Sequence, residues 1–391
     1  MPPHTLVIGG GMYGVTAALA LRARGQAVTL FDPGPLPHPQ AASTDISKVL
    51  RPDYGSDEAY TVWMEQALAG WQRWQARWPE PVVHWTGALY PSRTPWQAGK
   101  YEYESFQVLQ RRGFAPERLD AAGLAARFPA WRAAGFVDGY YNPRAGYAES
   151  GRVMGYLLAE AQAAGVRLAA GQTVTRLHET DGRVAGVVLA DGGTVLGDYV
   201  VAAAGAWTHH LLPELRRALR SSGMPVFHLR PAEPDLFRPE RFPVFGADVT
   251  VTGYYGFPLN RDGVVKIAHH GAGRVLHPDD PARAVDAAET EHLRVFLRGY
   301  LPDLADAPIV FTRRCFYSDT WDGHLWIAPD PDRPGLVVAA GDSGHAFKFA
   351  PVLGDAIADA LEGRPHPLLP LFRWRPELTG AAGQEASRQQ A

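Results

Sequence analysis

Apolar positions along this chain follow two periods, and the changes between them outline its elements. Leu6, Val7 and Ile8 form a short unbroken apolar run; Gly9-Gly10-Gly11-Met12-Tyr13-Gly14 follows, then an Ala/Leu-rich stretch, then a second apolar run that ends on Asp32. Short continuous runs bounded by glycine read as buried strands, with a helix between them. A second helix is expected over 57–78, where Tyr60, Met64, Ala67, Trp71, Trp74 and Trp78 share one stripe. Such an aromatic stripe is far more often core than ligand box. Residues 81–143, rich in Trp, Tyr and Pro, read as strand-like and irregular. Helical spacing returns over 151–165, and 172–205 reads as a meander turned at Asp181-Gly182 and Asp191-Gly192, both strong hairpin signals. The strand-rich stretch 224–320 includes a hairpin of 254–258 with 264–269 across Asp262-Gly263, and one helix near 282–300. A strand at 336–340, a tight loop at 341–344 and a helix at 351–361 follow, and the Ala-, Gly- and Gln-rich tail is expected to be disordered.

The first unit carries chemistry. Gly9 permits a tight turn, Gly11 lets backbone approach a pyrophosphate, Gly14 lets helix and strand pack closely, and the helix N-terminus offers N–H groups to phosphates. Asp32 stands eighteen residues past Gly14, close to the spacing at which a carboxylate meets a ribose hydroxyl. Strand, loop, helix, second strand and terminal acid in order predict a dinucleotide site. The run at 199–204 closing on Gly205-Ala206-Trp207 supplies small residues where backbone meets a ligand. A nicotinamide enzyme could share this shape, but the long meander and the second Gly-rich strand-to-helix return favour a flavin, whose extended body needs contacts from distant segments.

The expected fold class is therefore α/β (α+β mixed), with a Rossmann-like FAD-binding domain from 1–80, 145–220 and 325–375. A β-sheet-rich substrate domain from 81–144 and 221–324 interleaves with it, and 376–391 form the tail. At 391 residues two domains are the default. A formal charge of −3 with no basic run gives no footprint for nucleic acid or an anionic membrane. Cys315 is the only cysteine, so no internal disulfide forms, which suits a reducing cytoplasm. The start carries no basic region ahead of its apolar stretch, so neither an export signal nor a membrane span is expected.

Four segments together resemble a known family, the FAD-dependent amine oxidases typified by monomeric sarcosine oxidase and N-methyltryptophan oxidase, within the D-amino-acid-oxidase-like superfamily. They are the N-terminal Gly loop, Ala203 to Trp207, Tyr254-Tyr255-Gly256-Phe257-Pro258 with Lys266, and Cys315 with Gly341-Asp342-Ser343-Gly344-His345-Ala346-Phe347-Lys348-Phe349. The resemblance implies a monomer that oxidises a small secondary amine, an N-methyl or cyclic amino acid, with O2 giving hydrogen peroxide. It implies FAD joined through the Cys315 sulfur to the flavin 8α-methyl carbon; beside it Arg313-Arg314 could favour the thiolate. Arg51 and Lys348 would hold the substrate carboxylate, a fork and a point charge that suit that task. Lys266 would lie near flavin N5 through water and support oxygen reduction; the bland alternative is a half-exposed strand lysine. Tyr255 and His270 would wall the pocket. His345 would open a loop facing the flavin pyrimidine, or merely cap and pack.

Further cofactor contacts are expected from Met12, Ser43, Thr44, Lys48, Val174, Gly344 and Phe347. Where the family usually carries histidine and then Gly-Asp-x-Arg, this chain has Thr44-Asp45-Ile46-Ser47-Lys48, so a point charge stands in place of a planar fork. His269-His270 has no partner at ligand spacing, and no metal is expected. Rival readings are oxidation of sugar-amine adducts or 2-hydroxy acids, a dehydrogenase using a carrier, and a non-catalytic flavin-bearing subunit.

Overall fold

The computed structural model describes residues 1–131, 135–377, 379, 387 and 388. Its organising element is the strand His4–Ile8, which pairs in parallel with Ala27–Asp32 on one side and Tyr199–Ala202 on the other. Leu336–Ala340 and Arg167–Ala170 extend the parallel sheet, and Trp326–Pro329 closes one edge antiparallel. Its central strands are unbroken apolar runs because both faces are covered; Val7, Leu30, Val201 and Ala339 are fully buried. Helix Met12–Ala23 crosses helix Ala350–Glu362 so closely that a Cβ on Gly354 would lie 2.2 Å from the Thr16 carbonyl oxygen. At the carboxyl ends of the parallel strands the Gly9 loop, Ala203–Ala204 and the Gly341 loop face one crevice, the place where open α/β sheets take ligands.

A second, larger sheet is mixed and mostly antiparallel. Its spine is the pairing of Leu219–Leu229 with Ile309–Thr320, which puts Met224 opposite Cys315 and His228 opposite Phe311. Val265–His269 pairs on the other edge of Leu219–Leu229 and brings Lys266 opposite His228. The hairpin of Tyr254–Phe257 with Val265–His269 forms at the expected turn. A small sheet of Lys48–Leu50, Gly146–Ala148 and Val83–His84 carries the segment leading to Arg51.

The aromatic helix forms over Glu58–Arg77, with Tyr60, Met64, Ala67 and Trp71 buried as its stripe requires. Two readings change. The stretch 81–143 holds helices Tyr101–Arg111 and Ala121–Arg127 among its strands. In the first, Tyr101, Ser105, Phe106, Val108 and Leu109 turn inward, a helical stripe that the surrounding Pro and Trp content masks. The helix expected at 282 starts at Ala287, because Asp286 accepts from Glu289 N while Glu289 caps Asp286 N in return. Most of the expected disordered tail lies outside the described residues; Ser387 and Arg388 are described and buried. Among the described residues no helix is long and apolar enough to cross a membrane.

Candidate active site

Two adjoining cavities share Lys48, Tyr317, Gly344 and Phe347 as common wall. The larger, of about 650 Å³, runs along the crevice of the parallel sheet. Gly9, Gly11, Met12 and Asp32 line one end, Val174, Gly205 and Trp207 flank it, and Ser43 and Lys48 lead towards the second sheet. Gly9 has φ +105°, and its Cα sits so near the Ala203 carbonyl that a Cβ would lie 2.4 Å from the oxygen. Gly11 caps helix Met12–Ala23 without a side-chain partner, which leaves the first turn of N–H groups for a ligand. Asp32 accepts from Gly10 N at 2.8 Å and Gly34 N at 3.0 Å, so it fixes the loop as well as facing the cavity.

A dinucleotide fits this space on its polar atoms. The Tyr13 hydroxyl and Ser43 Oγ are buried, have no protein hydrogen-bond partner and belong to residues that line the cavity. Buried hydroxyls in that state call for a ligand's oxygens and nitrogens. Of the expected cofactor contacts, His345 and Lys348 line the smaller cavity instead, and three lie on neither wall. Gly14 packs instead: a Cβ there would stand 1.9 Å from Gly9 O. Thr44 turns its hydroxyl to the His38 carbonyl at 2.7 Å. Cys315 is buried just behind, beside Phe316 and Tyr317, which do line the cavity, with its sulfur 3.6 Å from Lys48 Nζ.

The smaller cavity, of about 60 Å³, collects four of the expected substrate-site residues, Arg51, Tyr255, His270 and Lys348, together with His345. Arg51 donates through Nη1 to Tyr101 OH at 3.0 Å and to the Asp53 carbonyl oxygen, and its guanidinium lies 5.0 Å from the Tyr54 ring. Behind it the Asp53 carboxylate accepts from Tyr140 OH at 2.7 Å and Asn142 Nδ2 at 3.1 Å. Burial pushes its pKa up, although Tyr140, Arg51 and Asn142 pull it down. Lys348 Nζ donates to Tyr54 OH at 3.1 Å, and Tyr54 OH meets His345 Nδ1 at 3.0 Å. With its proton on Nε2, His345 donates to Gly323 O at 2.9 Å and accepts from Tyr54, giving one directed chain from ammonium to backbone. His345 thus both lines the pocket and packs. His270 Nδ1 lies 3.3 Å from Tyr317 OH.

Lys266 lies on neither wall and does not point to solvent; it is 1% exposed. Its Nζ is 2.6 Å from Asp45 Oδ2 and 2.6 Å from Ser47 O, and 4.7 Å from the centre of the Phe257 ring that lines the small cavity. Burial, aided by Lys48, brings the ammonium down to about 8 against the opposing pull of Asp45. Burial raises the Asp45 carboxyl, but Lys266 first, then His228, hold it well below the usual range. His228 Nε2 lies 3.7 Å from Asp45 Oδ1 and its ring sits tilted against Phe311. For Lys48, burial lowers the ammonium, yet Cys315 and Asp45 raise it above the ordinary value.

Sequence reasoning missed Asp45, Tyr54, Asp53 and Tyr317. Asp45 and Tyr54 each sat within a few residues of a named cation, and a buried cation's need for a partner was the available signal. Among the described residues no three His, Cys, Asp or Glu side chains group to hold a metal; His269 instead makes edge-to-face contacts with the Tyr254 and His292 rings.

A parallel-sheet crevice suited to a dinucleotide, opening beside a pocket of buried cations, defines a two-sheet nucleotide-dependent oxidoreductase. The chain belongs to the FAD dependent oxidoreductase family, whose profile matches residues 4–360. It is 29% identical over 376 residues to an N-methyl-L-tryptophan oxidase of Salmonella arizonae, spanning 94% of this chain and 97% of that one. An N-methyl-L-tryptophan oxidase of Citrobacter koseri is 28% identical, with 92% and 94% covered. In structure the chain is similar to the deglycating enzyme fructosamine oxidase (Amadoriase II) of Aspergillus fumigatus, with TM-score 0.83 and 25% identity, covering 100% of this chain and 94% of that one.

Proposed function

We propose that this chain is an FAD-dependent oxidase of a secondary amine, with an N-methyl or cyclic amino acid as substrate class. The observation that carries this reading is that Arg51 and Lys348 converge in a buried pocket sharing its wall with the dinucleotide cavity. The chemistry that bound FAD supplies is acceptance of a hydride from the carbon next to nitrogen and return of the electrons to oxygen as hydrogen peroxide. Arg51, preset by Tyr101 and Asp53 O, and Lys348, preset by Tyr54, clamp the substrate carboxylate and so fix which carbon faces the cofactor. Tyr255 and His270 bound the amine end, and burial excludes water until the imine leaves to hydrolyse. Gly9, Gly11, Met12, Asp32, Ser43, Val174, Gly205, Trp207 and Gly344 hold the nucleotide, and Lys48 stands where the two cavities meet. Lys266, one layer behind Phe257, lends positive charge to oxygen reduction. Cys315, adjacent in sequence to the wall residue Phe316 and next to Lys48, is the residue we assign as the tether, and its unpaired state fits a reducing cytoplasm.

The test is turnover with peroxide readout across sarcosine, pipecolate, proline and N-methyl aromatic amino acids. Peroxide from at least one of these is expected. Likeness to a fructosamine oxidase adds fructosyl amino acids to the panel as the second reading, since these too join a secondary amine to a carboxylate. Silence across the whole panel, with flavin bound, would overturn both.

A further inference from the structure

Two described residues near the end of the sequence, Ser387 and Arg388, lie at the small cavity. Ser387 and Arg388 are 3% and 4% exposed, as buried as the core. The Ser387 hydroxyl lies 2.5 Å from Arg51 Nη2, and Ser387 is itself part of the cavity wall. Arg388 locks this placement with a planar fork on Asp319, Nη1 to Oδ1 at 2.7 Å and Nη2 to Oδ2 at 2.9 Å, while Nε donates to Gly271 O at 2.8 Å. Asp319 is fully buried, and the other cation near it, Arg220, stands off at 3.8 Å. A buried carboxylate met by a two-toothed guanidinium is among the stronger polar contacts a protein makes, and it is costly to leave half-made.

With Ser387 in place the cavity measures about 60 Å³. That holds about two waters at ~30 Å³ each, far short of a ligand pocket of ~300 Å³. An amino acid cannot lay its carboxylate on Arg51 Nη2 while the serine hydroxyl occupies that nitrogen's reach. We propose that Ser387 and Arg388 form an internal competitor for the substrate pocket: the hydroxyl sits on the arginine that takes the substrate carboxylate, the Arg388–Asp319 fork latches it there, and substrate binds only from the unlatched state. This rests on the reading of Arg51 as the carboxylate anchor. Because the competitor is tethered, its effective concentration is high, and apparent affinity for any carboxylate falls by the fraction of time the latch is open.

The experiment uses the flavin-loaded protein and needs no turnover. Acetate and 2-furoate, simple carboxylates, are titrated against the full chain, a chain ending at Glu377, and the double variant Asp319→Asn with Arg388→Ala, following the flavin absorbance. The double variant removes both buried charges together, so it keeps the test open should truncation unfold the protein. Dissociation constants at least tenfold lower in either altered chain are expected, with binding lost from all of them on adding Arg51→Lys. Equal constants in the full and altered chains would overturn the latch and leave the Arg51 reading standing. Carboxylate binding indifferent to Arg51→Lys would overturn that reading, and the latch with it.

Discussion

Asp45→Asn isolates the charge that holds Lys266. The pair is buried, with Nζ 2.6 Å from Oδ2, and Lys266 titrates at about 8 with the carboxylate present. At an effective dielectric of about 20, an opposite unit charge at contact is worth about 4 kcal/mol. Removing it lowers the lysine by about three in pKa, since each unit is about 1.4 kcal/mol. The ammonium of the variant then loses its proton well below the parent's value, whereas in the parent Lys266 holds the Asp45 carboxyl well below the usual carboxylate range. Lys266 is charged below its folded pKa, so the oxygen step of the parent should slow as pH rises through about 8. In the variant the same fall should come about three pH units lower. The assay is stopped-flow mixing of dithionite-reduced holoenzyme with aerated buffer, following return of the oxidised flavin absorbance from about pH 4.5 to 10. It requires no knowledge of the amine. A variant slower by one factor at every pH, with an unmoved midpoint, would mean that Asp45 only supports the fold, and a parent profile flat across pH 8 would remove Lys266 from the oxygen step.

Three further outcomes follow from single contacts. Arg51→Lys removes the fork while keeping charge, so KM for the best amine should rise about 100-fold, from loss of about 3 kcal/mol of charged hydrogen bonding, with kcat changed less; steady-state kinetics with peroxide detection decide, and an unchanged KM removes Arg51 from binding. Gly14→Ala drives a Cβ to 1.9 Å from Gly9 O, whereas Gly155 has nothing within 4 Å. Thermal unfolding followed by flavin release should show Gly14→Ala losing about 3 kcal/mol and Gly155→Ala gaining ~0.5–1 kcal/mol; similar shifts for both would refute the close-packing account. Cys315→Ser should send the yellow colour to the supernatant on acid precipitation while the parent's colour stays with the pellet, and colour released equally from both rules the tether out.

How much of this was legible depended on the distance over which each feature is determined. The Gly9–Gly14 loop, Asp32, the aromatic helix and the hairpins at Asp181-Gly182 and Asp262-Gly263 are set by residues a few positions apart, so spacing alone reveals them. Helix Tyr101–Arg111 is equally local, but its inward stripe is short and lies among Pro- and Trp-rich neighbours, so composition overrode period. The boundary at Ala287 is hidden for a smaller reason: the reciprocal Asp286 and Glu289 cap falls inside a stretch whose spacing suits a longer helix.

The polar core of the site is of another kind. Lys266 and Lys348 could be named because a cation among apolar neighbours asks for an explanation, and Lys48 and Arg51 from the family resemblance, but the partners of Lys266 and Lys348 lie far off along the chain. Lys266 meets Ser47 across 219 positions and Lys348 meets Tyr54 across 294. For Lys266 sheet register decides the meeting: it lies opposite His228, and both side chains reach Asp45. One register step would put Lys266 on the other face of its strand, where neither Asp45 nor the Phe257 ring could reach it. The same hydrophobic alternation that builds the second sheet therefore also sets the charge behind the pocket. The place of Lys266 follows from the pleat, and its pKa from a burial that the carboxylate of Asp45 only partly offsets.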